Sequence, residues 1–220
     1  MAFYLVPHWF FGIDAAIEIV YALLALSIAY LAYKAYRVAE EPSLKYWAIG
    51  FASIGLSYLV WAGTNLLIVD SIRHSIRDVA PTICMGCLRS FSFSGLYGYA
   101  ALFTIGLASL VYATLNIRKL GVYYLLLGLS LTVLAVSVQK FATSKIVAFF
   151  FLTFMLYNYA TRYNTLKRPG KYALAGFVLL LLSTIDFMFS PSHYLAYVAG
   201  HVLELGAYVL FVISLKRAFT

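Results

Sequence analysis

Seven apolar stretches, each close to the span of about 20 residues that crosses a bilayer as a helix, account for most of this chain. They run over residues 9–34, 46–69, 92–115, 121–139, 145–162, 172–189 and 193–215. In hydrocarbon no water satisfies the backbone, so a segment of this kind must be helical or part of a closed barrel. The pattern predicts an all-α polytopic integral membrane protein, with residues 1–220 forming a single seven-helix bundle. Pro42, Pro81, Pro169 with Gly170, and Pro191 fall in the connections, where breakers belong. The least marked division is the fourth, where Gln139, Lys140, Thr143, Ser144 and Lys145 interrupt an apolar run. Composition agrees: 64% of residues are apolar and 11% charged, against roughly 25% charged in soluble domains.

Basic residues orient such a bundle, because loops rich in Lys and Arg stay on the cytoplasmic side. One set of helix ends carries eleven: Lys34, Arg37, Lys45, Arg118, Lys119, Arg162, Lys167, Arg168, Lys171, Lys216 and Arg217. The opposite set carries five: Arg73, Arg77, Arg89, Lys140 and Lys145. The amino terminus is therefore expected outside and the carboxyl terminus inside, in a multi-pass protein of the cell membrane. Residues 1–7 contain no Lys or Arg, so no cleavable leader is expected and helix one reads as a permanent span. The net charge of +8 is juxtamembrane, which suits anionic lipid head groups rather than nucleic acid. Tyr4, Trp9, Tyr46, Trp47, Tyr123 and Tyr172 sit where interfacial aromatic belts are expected.

Against that background, Asp14, Glu18, Asp186, His201 and Glu204 are costly. An ionisable group inside a bilayer costs a few kcal/mol, so such groups are held by partners and usually have a task. With a rise of about 1.5 Å per residue, Asp14 lies roughly 8 Å and Glu18 roughly 14 Å below the outer surface. On helix seven, His201 falls at roughly 12 Å and Glu204 at roughly 16 Å, so Asp14 is expected level with His201 and Glu18 with Glu204. Spacings of four and three residues put each pair on one helix face. Asp186 lies one turn below the outer end of helix six, with His8 and His193 above it at the rim.

Three uses fit these groups. They can form a proton relay or a polar pocket for a small ligand or ion. Asp14, Glu18, His201 and Glu204 can hold a divalent transition metal, the only cofactor the residue types suggest. Or the groups can serve as interhelical glue with Tyr21, Tyr197 or Tyr208, at about 0.6 kcal/mol per contact. Other chemistries lack their residues. There is no Schiff-base lysine in residues 193–215, no pair of deep histidines for haem, no helix-borne His-x-x-x-His, no Gly-x-Ser-x-Gly and no phosphate-binding glycine loop.

Cys84 and Cys87 fall in the long outer connection, 70–91, where an oxidising exterior would favour a short, reducible disulfide. Ahead of them Leu67, Ile68, Ile72, Ile76 and Val79 share one face and Arg73, His74 and Arg77 another, so helix two is expected to continue outward or give way to an interfacial helix. Gly50, Gly55 and Gly63, then Gly95, Gly98 and Gly106, mark close helix approach, and Gly200 and Gly206 would let another backbone near His201 and Glu204.

The segment Tyr33–Phe51 (YKAYRVAEEPSLKYWAIGF) and the segment His201–Lys216 (HVLELGAYVLFVISLK) resemble the seven-helix membrane sensor modules of archaea and bacteria, the membrane-associated sensor domains. The resemblance implies a sensor or binding module in which His201 is the helix-seven histidine of such modules. No kinase, cyclase or coiled-coil pattern is present, so the signal would pass to a membrane or cytoplasmic partner. A metal-dependent enzyme or redox subunit, a small-solute or proton-coupled transporter, and a structural subunit of a complex are the alternatives.

Overall fold

The computed structural model describes residues 12–77, 85–115, 119–165, 168–190 and 193–219. These residues form seven helices: α1 Ile13–Ala39, α2 Pro42–Arg77, α3 Met85–Leu115, α4 Leu120–Val136, α5 Lys140–Thr161, α6 Arg168–Phe189 and α7 Tyr194–Phe219. A single 3-10 turn, Tyr163–Thr165, follows α5. Six of the helices are long and apolar enough to cross a membrane, while α4, at 17 residues, is shorter.

Helix boundaries follow local backbone chemistry. α1 ends at Glu40, which adopts a left-handed φ of 53° and donates its N–H to the Tyr36 carbonyl at 2.8 Å. Pro42 then opens α2 rather than lying in a connection, because the first helical position needs no N–H and suits the fixed φ of proline. α2 continues unbroken to Arg77 and α3 begins at Met85, so most of the expected connection 70–91 is helical backbone. Lys140, Thr143, Ser144 and Lys145 form the first two turns of α5 instead of the connection before it.

Six helices form a closed ring in the order α1, α2, α3, α5, α6, α7, and α7 returns to α1. α4 lies outside the ring against α3 and α5. Successive helices alternate in direction. At the end of the bundle where α1 begins, Lys145 of α5 reaches Tyr99 of α3 and Phe187 of α6. At the opposite end, Trp47 of α2 packs on Phe177 of α6, and Phe177 on both Tyr159 of α5 and Phe211 of α7.

The ring closes because small and large residues alternate on the facing sides. α1 buries Ala15, Glu18, Tyr21, Ala22, Ala25, Ile28, Ala29 and Ala32, a stripe at helical spacing. Its other side exposes Ile19, Val20, Leu23 and Tyr30, the surface that lipid would cover. α2 and α3 approach backbone to backbone: a Cβ added at Gly106 would lie 2.7 Å from the Gly50 carbonyl oxygen and 2.5 Å from the Ile54 side chain. Gly55 does the same against Leu26 and the Ala22 carbonyl of α1, whereas Gly63 has open space. On α7 the glycines meet side chains rather than a backbone. Gly200 faces the Phe187 ring and Gly206 faces Leu179, both on α6.

Candidate functional site

At the end of the ring where α1 begins, polar side chains converge on a small cavity of about 30 Å³. That is room for about one or two water molecules. α1 contributes Glu18, α2 contributes Tyr58 and Trp61, and α3 contributes Tyr99. Phe141 and Lys145 come from α5, Phe187 from α6, and Tyr197, His201 and Glu204 from α7. Every helix of the ring therefore reaches the cavity, and α4 alone does not.

The two carboxylates are held differently. Glu18 accepts from the Asn65 amide at 3.1 Å and 3.3 Å, one bond to each oxygen. Glu204 accepts from the Tyr58 hydroxyl, and Tyr58 in turn accepts from Tyr208 at 3.1 Å. That chain runs from α7 through α2 and back to α7, wholly within the core. A charge-assisted bond from a buried hydroxyl is the stronger kind, and it fixes the carboxylate in one rotamer.

His201 is set by α1. The Tyr21 hydroxyl donates to the His201 backbone carbonyl at 2.5 Å and lies 3.2 Å from its Nδ1. A phenol has one proton, so with that proton on the carbonyl it is Nδ1–H that donates to the Tyr21 oxygen. In the neutral ring Nε2 then carries the lone pair. The imidazole is stacked beside Tyr21 and meets Phe187 and Tyr197 edge-on.

The register between α1 and α7 differs from expectation. His201 is opposite Tyr21, two turns beyond Asp14, because the phenol needs the carbonyl of residue 201 and Tyr21 is fully buried between α2 and α7. Asp14 stays at the start of its helix. Its Oδ1 accepts from the N–H groups of Gly12 and Ala15, both at 2.9 Å, where a carboxylate stabilises the first turn. Gly12 itself holds a φ of +94°, a conformation glycine adopts freely. Of the five expected site residues, Glu18, His201 and Glu204 share the cavity, Asp14 stays in the first turn of α1, and Asp186 is half-buried and outside the cavity wall.

Among the described residues no three His, Cys, Asp or Glu side chains are grouped as a metal ion would require. A metal at Asp14, Glu18, His201 and Glu204 therefore has no donor set in this arrangement. His193 is exposed in the turn before α7. His8, Cys84 and the side chains of His74 and Cys87 lie outside the described residues, and with them the Cys84–Cys87 disulfide.

Lys145 is the site residue that hydropathy concealed. It is 5% exposed and donates to the Tyr99 hydroxyl at 3.4 Å. The signal was its phase: Lys145 falls in register with Ala148, Leu152 and Met155, the buried stripe of α5. Lys140 is also buried and caps α4, donating to the carbonyls of Leu134 at 2.9 Å and Ala135 at 2.6 Å. Its ammonium lies 4.7 Å from the Tyr97 ring centre. Tyr58, Asn65 and Tyr99 were legible only as apolar or neutral positions within spans.

A model of a family of unknown function, DUF7521, matches residues 15–89. That stretch holds α1, α2 and the start of α3, and so Glu18, Tyr21, Tyr58 and Asn65 but none of the α5 or α7 site residues. No curated protein and no solved structure matches the chain. The chain is thus similar over about a third of its length to a family whose function is unknown, and no sensor-module family is identified.

Proposed function

We propose that this chain is a multi-pass protein of the cell membrane whose cavity binds a proton or a very small polar ligand and passes the event, as a helix shift, to a membrane or cytoplasmic partner. One observation carries the reading: the wall of a cavity with room for about two waters is built by all six ring helices. A change of charge at Glu18 or Glu204 alters the contacts of several helices at once, and packed interfaces of this kind switch rather than deform gradually.

The other end of the ring favours binding over conduction. Trp47, Phe51, Phe177 and Phe211 pack there ring against ring and leave the Tyr208 hydroxyl as the last polar group of the chain from Glu204. The orientation with the cavity toward the outside gains support as well. Of the five basic residues assigned to that end, Lys140 and Lys145 are buried, which leaves Arg73, Arg77 and Arg89 against eleven opposite.

The test uses Trp61, which lines the cavity. With Trp9 and Trp47 replaced by Phe, its emission in nanodiscs is titrated with acid and base. A single transition that disappears in Glu204→Gln with Glu18→Gln supports the reading; emission flat with pH in a folded protein contradicts it.

A further inference from the structure

Lys145 brings to the cavity the only Lys or Arg side chain among its described wall residues. Its ammonium is 4.4 Å from the centre of the Phe187 ring, 5.5 Å from Phe141, 5.6 Å from Phe103 and 5.8 Å from Tyr99. Four rings from α3, α5 and α6 thus surround one cation, the arrangement by which proteins hold alkylammonium ligands. The other charged and titratable groups on the same cavity are Glu18 of α1, Tyr58 of α2, Tyr99 of α3, and Tyr197, His201 and Glu204 of α7. α6 offers only the Phe187 ring there.

We propose that Lys145 is the resident cation of the pocket: its ammonium fills an aromatic cage that would otherwise accept a free alkylammonium ion, and so restricts the pocket to the proton. This deepens the functional reading above and rests on it for the role of the proton, while the cage itself stands on geometry alone. A tethered ammonium in the same cavity wall as Glu18 and Glu204 supplies positive charge that the two buried carboxylates would otherwise draw from solution. Free cations then face an occupied site, and beside the lysine there is room for only about one or two waters. Trp61 and Phe141, both half-buried, are the most exposed residues of the wall.

Lys145→Ala removes three methylenes and the ammonium, a vacancy with the shape of n-propylammonium. In the full-length protein, carrying Trp61 as its one tryptophan, propylammonium is titrated against emission and unfolding midpoint. Saturable binding to Lys145→Ala about tenfold tighter than to the parent is expected, with methylammonium weaker and tetramethylammonium, too bulky for the vacancy, inactive. The binding should be lost when Phe187→Leu is added. Equal responses in parent and variant, or no saturable response in folded Lys145→Ala, overturn the proposal. Where Lys145→Ala does not fold in buffer, recovery of folded protein on adding propylammonium but not tetramethylammonium supports it, and no recovery overturns it. A parent protein without a pH transition at Trp61 would end the proton reading while leaving the cage result intact.

Discussion

The Tyr21 hydroxyl donates to the backbone carbonyl of His201 at 2.5 Å and so ties the first helix of the bundle to the last. The bond joins elements 180 residues apart and closes the ring of helices around the cavity. It also orients the imidazole through Nδ1.

Tyr21→Phe keeps the ring packing and removes only the hydroxyl. Interhelical hydrogen bonds in membrane bundles average about 0.6 kcal/mol, with a maximum near 1.7. A loss toward the upper value is expected here, because the His201 carbonyl and Nδ1 lose the same partner. Unfolding titrations in mixed micelles measure it, and a variant as stable as the parent would remove Tyr21 from the ring closure.

Tyr58→Phe deprives Glu204 of its donor and Tyr208 of its acceptor. Leaving a buried carboxylate without its hydrogen bond costs about 1–3 kcal/mol. The double variant with Glu204→Gln should recover part of that loss, since the uncharged amide needs the donor less. Additive losses in the two-residue cycle would show that Tyr58 and Glu204 are not coupled.

Gly106→Ala forces a methyl against the Gly50 carbonyl, which cannot rotate away, so α2 and α3 must separate. Overpacking of this sort costs about 1–3 kcal/mol. Gly128→Ala, on α4 with nothing within 4 Å of the added carbon, should be neutral or slightly stabilising. Thermal midpoints of the two variants give the contrast, and equal values would contradict the close approach of α2 and α3.

Lys140→Met removes the ammonium that caps the Leu134 and Ala135 carbonyls and so the polar tie between the end of α4 and the start of α5. Faster amide exchange confined to the last turns of α4 and the first turn of α5 is expected, with a loss of about 1 kcal/mol. Exchange unchanged there would mean that the cap does not hold α4 to α5.

The helices were legible because bilayer-length apolar runs leave the backbone few options, and Glu18, His201 and Glu204 because a charge in such a run stands out. Three features were hidden for physical reasons. Hydropathy scores Lys140 and Lys145 as polar whatever they touch, so two buried lysines were read as a connection, and only their phase with Ala148 and Leu152 shows otherwise. Asp14 carries the same signal as Glu18 but meets the N–H groups of Gly12 and Ala15 instead of the cavity, which depends on where α1 starts. Tyr58 and Tyr99 carry no charge to betray them, and their role comes from the neighbours that ring closure provides.

In the function proposed for this chain the carboxylates of the shared cavity take up a proton and the ring responds. Infrared difference spectra of the protein in nanodiscs, recorded between neutral and acidic pH, read both events in one sample. A carboxylic-acid carbonyl band that appears on acidification together with an amide I change, both diminished in Glu204→Gln, is expected. A carboxylic-acid band unaffected by Glu204→Gln and Glu18→Gln, or one that forms with no amide I change, would contradict it.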